Sequence, residues 1–360
     1  MNAPLTRDEI LAWMREENPA RLEELWTRAD RTRKACVGDA VHLRGLVEIS
    51  NRCVRQCTYC GLRAGNASLV RYRMEPNEIV GAARKAGRYG YGTVVLQAGE
   101  DFGVRLAWMA DVIRRIKQET TLAITLSLGE RTDEELTAWR RAGADRYLLR
   151  FETSDRRLFN AIHPPLGNRP SDRIAILRRL REIGYETGSG IMVGLPGQSY
   201  ESVADDILLF RELDLDMIGI GPYIPHPDTP LGRGQVEIRC ADAAGQVPNS
   251  ELMVYKVIAL TRLARPDANI PATTALATIN RRNGRELGWQ RGANVFMPNL
   301  TPRKYRRLYE IYPGKVQLCG IGDSCNHSLT TRIRLVGRQI GVGPGGRHNH
   351  EATLERSVAA

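Results

Sequence analysis

Asn51-Arg-Cys-Val-Arg-Gln-Cys-Thr-Tyr-Cys-Gly-Leu-Arg63 follows the apolar run Leu43–Ile49, and this junction decides how the chain is read. A short apolar run that stops at a cysteine-bearing loop reads as a buried strand with chemistry at its carboxyl end. Cys53, Cys57 and Cys60 form a C-x3-C-x2-C triplet within eight positions. Three thiolates so spaced can hold three irons of a 4Fe–4S cluster and leave the fourth iron without a protein ligand. Zinc competes, because soft thiolates suit both metals. Structural zinc is usually closed by four ligands, however, and no second C-x2-C occurs in the chain.

Outward from this junction, short apolar runs alternate with amphipathic helical segments, the pattern of parallel βα units. Strands are expected at Leu43–Ile49, Thr93–Gln97, Ala123–Ser127, Tyr147–Phe151, Thr187–Val193, Met217–Ile220, Ile270–Thr274 and Asn294–Met297. Helices are expected between them, as at Glu78–Tyr89, Trp108–Gln118, Asp133–Ala142, Asp172–Ile183, Tyr200–Glu212, Glu251–Leu263 and Gly284–Trp289. Eight such units predict an α/β fold, a complete (βα)8 TIM-type barrel, with function at the carboxyl ends of the strands. The chain then divides into an amino-terminal helical extension over 1–40, a barrel over 41–340 and a flexible tail over 341–360.

Several polar groups fall where strands stop. Gln97, Ser127, Thr273 and Thr274 either point hydrogen bonds into the barrel or satisfy turns. Arg44 and Glu48 share one face of the first strand. They either line the cavity, with Arg44 toward an anionic substrate group, or pair with each other. Tyr305 and Tyr309 are spaced for one helix face, with core packing as the default. His226, in a proline-rich turn, is read as structural. Gly194 and Gly197 allow backbone to approach a ligand closely.

The chain has 42% hydrophobic and 26% charged residues, as a globular protein does, and no apolar run long enough to span or be exported. Seven cysteines, three of them clustered, do not read as a disulfide scaffold, so the expected compartment is the cytoplasm, with no membrane partner. Cys36 and Cys240 read as buried or spare thiols. The net charge is +11, yet arginines are scattered among carboxylates and aromatics are only 6%, so no nucleic-acid partner is expected. An acidic protein or anionic small molecules suit the charge.

The cysteine spacing, with Tyr59 before the last cysteine, resembles the radical S-adenosylmethionine (SAM) superfamily. Longer stretches narrow the likeness. Among them are Leu96-Gln-Ala-Gly-Glu-Asp101, Ala142-Gly-Ala-Asp-Arg-Tyr-Leu-Leu-Arg150, Met192-Val-Gly-Leu-Pro-Gly-Gln198, Ile220-Gly-Pro-Tyr-Ile-Pro-His-Pro-Asp-Thr-Pro-Leu231 and Tyr312-Pro-Gly-Lys315. From about Val41 to Gly343 the chain resembles the HydE family, the radical SAM maturases that help build the H-cluster of FeFe-hydrogenase. Methylornithine synthase and biotin synthase are the next relatives.

That resemblance implies a 4Fe–4S cluster on Cys53, Cys57 and Cys60, and SAM chelated at the open iron and cleaved reductively to a 5′-deoxyadenosyl radical. It implies a SAM site that includes Tyr59, Gln97, Glu152 and Arg173. Glu152 would hold the ribose and Arg173 the methionine carboxylate; otherwise Arg173 is a surface helix charge. Arg44, Ser127, Thr273 and Thr274 would line a substrate cavity. The implied substrate is a cysteine-bound iron carrying carbonyl and cyanide ligands. Implied partners are an electron donor such as flavodoxin or ferredoxin and other hydrogenase maturation proteins. The alternative is a methylornithine synthase-type mutase acting on lysine; a structural-zinc scaffold is a third reading. Some members of the family hold a second Fe–S cluster through three further cysteines. Here only Cys319 and Cys325 remain, with Ser328 at the third position, so two ordinary thiols or a labile metal are expected.

Overall fold

The computed structural model describes residues 4–168, 170–240, 242–315 and 323–347, without the side chains of 323–328. Two helices, α1 (Arg7–Arg15) and α2 (Pro19–Val37), precede the sheet. The sheet and its crossovers follow as β1 (Ala40–Ser50), α3 (Pro76–Arg88), β2 (Thr93–Ala98), α4 (Leu106–Glu119), β3 (Ala123–Ser127), α5 (Asp133–Arg141) and β4 (Arg146–Leu148). Next come α6 (Arg156–Ile162), α7 (Arg173–Glu182), β5 (Glu186–Val193), α8 (Tyr200–Glu212), β6 (Met217–Pro222) and α9 (Glu251–Ala264). The chain continues with α10 (Thr274–Ile279), α11 (Gly284–Gln290), β7 (Val295–Phe296), α12 (Arg303–Arg306), α13 (Asp323–Leu335) and β8 (Gln339–Ile340). Among the described residues no helix is long and apolar enough to cross a membrane.

All strand pairs are parallel, in the order β6-β5-β4-β3-β2-β1-β7, with β8 pairing the start of β1. The fold is therefore the expected parallel α/β sheet wrapped by helices, but the strand expected at Ile270–Thr274 is absent. Only isolated bridges occur there, from Asn269 to Met217 of β6 and from Pro271 to Val295 of β7. Pro271 has no N–H to give a ladder, and the Thr273 hydroxyl caps α10, turning the chain out of the sheet. β4 is also shorter than expected, for a reason given below.

β1 and β5 are buried along nearly their whole length, because one face meets the interior and the other the helices. Gly45 shows the packing of the outer face: a Cβ there would lie 2.7 Å from Leu300 and 3.1 Å from Ala86. The register sets Arg44 beside Thr93 and Glu48 beside Gln97, and Gln97 beside Ser127, so these side chains share the inner face. α1 packs on α8 and α9, and α2 packs on α9, forming a layer outside the crossover helices.

The tail does not begin as a loose segment. Residues 341–347 close the amino-terminal end of the sheet. Gly341 N–H donates to Val41 O, Thr93 donates to Pro344 O at 2.9 Å, and Arg44 and Asn269 both donate to Gly345 O. Arg347 is buried there, 2.6 Å from Asp267 and 3.0 Å from both Asp214 and Asp216. Positions 348–360, including His348 and His350, lie outside the described residues.

At the opposite end, β4 stops early because its extension turns sharply. Glu152 has a left-handed backbone, φ +64°, a conformation that costs a non-glycine residue of order 1 kcal/mol or more. Hydrogen bonds from Glu152 N to Gly190 O and from Met192 N to Glu152 O hold it. Below it, Asp206 of α8 accepts the Ser154 N–H at 2.6 Å and is fully buried, its second oxygen without a hydrogen-bond partner. Burial raises this carboxyl from 3.8 to about 7, partly offset by Ser154.

Two expectations follow. Arg347→Ala leaves the buried Asp216 with weaker compensation from Arg181, and denaturant unfolding should register a loss of about 2–3 kcal/mol; an unchanged midpoint contradicts the floor described here. Folded Asp206 keeps its proton to about pH 7 and the unfolded residue loses it near 4, so stability falls as pH rises through that window. Asp206→Asn keeps the acceptor for Ser154 and removes the titration. Between pH 5 and 8 the wild type should lose about 2.5 kcal/mol relative to this variant; parallel stability curves contradict the assignment.

Candidate functional site

The cysteine loop leaves β1 and is pinned on every side. Val54 N–H donates to Glu100 O, Thr58 N–H to Ile162 O and Gly61 N–H to Ile311 O. The Arg71 guanidinium gathers four carbonyls of the loop region, those of Asn51, Leu62, Arg63 and Asn66. Two glycines allow this closeness. A Cβ on Gly99 would lie 2.9 Å from Cys53 Cβ, and one on Gly61 would lie 2.6 Å from His226 Nε2.

Cys57 is buried and Cys53 and Cys60 are half-buried. Burial raises all three thiols, Cys60 to about 12, and their mutual repulsion as thiolates adds to this for Cys57 and Cys60. Without a cation the three stay protonated at neutral pH. A bound cationic centre is what would ionise them. Among the described residues, no three His, Cys, Asp or Glu side chains close on one point as a single ion requires. The three soft donors on a rigid loop fit a polynuclear iron–sulfur group.

A buried ionic chain runs from the loop. Arg55 donates to Glu100 at 2.7 Å and lies 2.7 Å from Glu130. Glu130 accepts from Arg173 at 3.0 Å and also from Ser171. Arg173 donates to Arg150 O, and its Nη2 lies 3.2 Å from the His163 ring. His163 Nδ1 in turn lies 3.0 Å from Cys57 Sγ. Burial lowers His163 to about 4, against the pull of Glu130 and with the help of Arg173, so the ring is neutral. Burial works against ionising Glu130, yet contacts with His163, Arg173, Ser171 and Arg55 hold it well below the usual carboxylate range.

Arg173 is thus no surface charge: it is buried, at the first turn of α7. Glu152 is buried beside Arg150. Arg150 Nη2 lies 3.2 Å from Glu152 Oε2 but off the hydrogen-bonding direction, so that oxygen is unsatisfied. Tyr59 joins an apolar cluster with Leu158, Ile162, Met192, Leu195, Tyr223 and Leu231. Gln97 and Ser127 are half-buried side by side at the strand ends.

The other candidates divide. Thr273 serves a turn, donating to Ile220 O and capping α10, and Thr274 is the half-buried first residue of that helix. Arg44 and Glu48 do not pair. Glu48 instead meets Lys315, with Asn299 donating to it at 3.0 Å. Arg44 lies deep in the interior, its polar contacts being Met217 Sδ and Gly345 O and its Nε unsatisfied. Burial, with Arg146 nearby, pushes it down to about 9.

His226 is structural, its Nδ1 accepting from Asp228 N–H. Gly194 and Gly197 have φ near +80°, and a Cβ on Gly194 would strike Asn249, so this loop is tight against protein rather than open to a ligand. Tyr305 stacks on Tyr72 at 4.6 Å, and Tyr309 lies beyond the short α12. Cys36 is exposed and Cys240 half-buried. Cys319 and the side chains of Cys325 and Ser328 lie outside the described residues, so the second-cluster site is not visible.

His163, Glu130, Arg55 and Glu100 were not singled out from sequence. Glu100 stands in the quoted run Leu96–Asp101 and Glu130 lies three residues beyond Ser127; His163 gives no signal beyond preceding Pro164.

Residues 47–210 match the family model of the radical SAM superfamily. The chain is 46% identical to the [FeFe] hydrogenase maturase subunit HydE of Thermotoga maritima, over 90% of this chain and 89% of that one. It is 28% identical to the 3-methylornithine synthase of Methanosarcina acetivorans, over 77% and 75% of the two chains. The solved structure of a methylornithine synthase covers 98% of this chain and is itself covered to 97%, with a TM-score of 0.81 at 24% identity, and so shares its fold. With the cysteine loop, the strand-end carboxylates and this identity in agreement, the chain belongs to the HydE family of radical SAM [FeFe]-hydrogenase maturases.

Proposed function

We propose that this enzyme holds one 4Fe–4S cluster on Cys53, Cys57 and Cys60 with one iron open to SAM, and acts on an anionic cysteine–iron carbonyl/cyanide unit bound for the H-cluster. The observation that carries the reading is 46% identity to a HydE across 90% of the chain. When bound, the cluster and SAM supply reductive carbon–sulfur cleavage and a 5′-deoxyadenosyl radical.

The residues divide the remaining work. The unsatisfied Glu152 oxygen is available to two ribose hydroxyls, and the left-handed turn aims it. Arg173 Nη2 meets only the neutral His163 ring, so its N–H groups can be given to the methionine carboxylate while the planar guanidinium stays anchored through Nε and Nη1. Tyr59 and its apolar neighbours exclude water beside that site, and Gln97 offers a hydrogen bond. Deeper, Ser127 and the half-buried Thr274 border the substrate space.

Charge favours an anionic substrate over lysine. On the inner face Glu48 is neutralised by Lys315 and Glu186 by Arg146, whereas Arg44 contacts no carboxylate. A buried cation without a counterion costs free energy that an incoming anion recovers. We read the ring as closing into an eight-position barrel, which the Asn269 and Pro271 bridges support. Thiolates that must stay reduced suit the cytoplasm, and a flavodoxin or ferredoxin suits the one-electron step.

The test is 5′-deoxyadenosyl product formation by anaerobically reconstituted, reduced enzyme with SAM, given the cysteinyl iron dicarbonyl cyanide complex, lysine, or neither. Cys57→Ala is the control and should be inactive. An adenosylated product with the complex alone is expected. Conversion of lysine to methylornithine, or no cleavage above the control despite an intact cluster, overturns the reading.

A further inference from the structure

The cysteine loop has an outer face that the chemistry above does not use. From Asn51 to Met74 the chain carries five arginines, Arg52, Arg55, Arg63, Arg71 and Arg73, and no aspartate or glutamate. Arg55 turns inward; Arg52 is exposed, and Arg63, Arg71 and Arg73 are partly so. The loop after β2 lies against this stretch. Its two carboxylates are buried and matched, Glu100 by Arg55 and Asp101 by Arg73. Arg105, exposed, follows on the same loop. The face is therefore strongly positive, with Glu75 the exposed carboxylate at its sequence boundary.

Two large apolar side chains stand out from it, Val70 at 65% exposure and Phe102 at 55%. Both are anchored to the loop that holds the cysteines. Val70 O accepts from Asn51 Nδ2, and Asp101, next to Phe102, binds both Ser50 and Arg73. Gly99 packs so close to the cysteine loop that a Cβ there would lie 2.3 Å from Arg52 O and 2.9 Å from Cys53 Cβ. Exposed apolar groups ringed by one sign of charge mark a surface for a partner of the opposite sign. A second copy of this chain, at +11, is repelled from such a face.

We propose that this face, built from residues 51–74 and 99–105, is the docking surface for an acidic one-electron carrier protein. Val70 and Phe102 form its apolar centre and Arg52, Arg63 and Arg105 its steering rim. One electron leaves the carrier, which is oxidised by one unit, and enters the group held by Cys53, Cys57 and Cys60, which is reduced by one; no bond is made or broken. The proposal rests on the cluster reading above.

Its test compares two reductants on the reconstituted holoenzyme, reading 5′-deoxyadenosine formed from SAM. Dithionite, a small reductant, needs no docking face; reduced flavodoxin does. Arg52→Glu and Phe102→Glu should each weaken flavodoxin binding, measured by calorimetric titration at low salt, and slow the flavodoxin-driven rate, both about tenfold or more, and leave the dithionite rate unchanged. Arg31→Glu, on α2, should change neither. In the wild type the flavodoxin-driven rate should fall as ionic strength rises. Equal flavodoxin rates in wild type and variants overturn the proposal. So does an equal loss with both reductants, which would mean a damaged cluster site. Failure of the wild type to cleave SAM with dithionite instead defeats the functional reading itself.

Discussion

Arg55 is the tie on which the site depends. From within the cysteine loop it reaches Glu100 after β2 and Glu130 after β3, both at 2.7 Å and all three side chains largely buried. Glu130 then fixes Arg173 at the head of α7, and Arg173 meets His163 behind Cys57. Three strand ends and α7 are joined by one alternating series of charges, Glu100–Arg55–Glu130–Arg173, which the neutral His163 ring at the end of α6 extends to Cys57. Such a series adds little net stability over a well-packed apolar replacement, but losing one member strands the next at a cost of about 3–5 kcal/mol. Its value is geometric, since a loop that presents metal ligands must hold its donors rigidly.

Around that tie the inner side of the parallel sheet is graded. Its mouth holds the thiols, the unsatisfied Glu152 oxygen and the apolar wall at Tyr59. Its floor holds Arg44 and is sealed by residues 341–347 through Arg347. Arg44 is therefore a buried guanidinium whose polar contacts are Met217 Sδ and Gly345 O rather than a carboxylate.

Much of this was legible in the sequence, and the omissions have physical causes. Apolar periodicity located the strands before β7 to within a few residues, because buried parallel strands must be apolar on both faces. It failed at Ile270–Thr274, where Pro271 and a capping threonine break the ladder within an otherwise apolar run. The floor was read as loose because a Gly-rich segment gives no periodic signal, and its order comes from Asp214, Asp216 and Asp267 far away in sequence. Spacing placed Arg44 and Glu48 on one face correctly but suggested a pairing that Lys315 takes instead. The burial of Arg173 was equally invisible, since helix position alone does not say which side faces Glu130. The cysteine triplet stands out in the sequence by its spacing alone.

The measurement that bears most directly on the account is the iron and sulfide content of the anaerobically reconstituted chain, with the electron paramagnetic resonance spectrum of its reduced form recorded before and after SAM. The account predicts about four irons and four sulfides held by the triplet, lost in Cys57→Ala, and a spectrum that shifts when SAM binds. Zinc without iron or sulfide, or a cluster spectrum that SAM leaves unchanged, would contradict it.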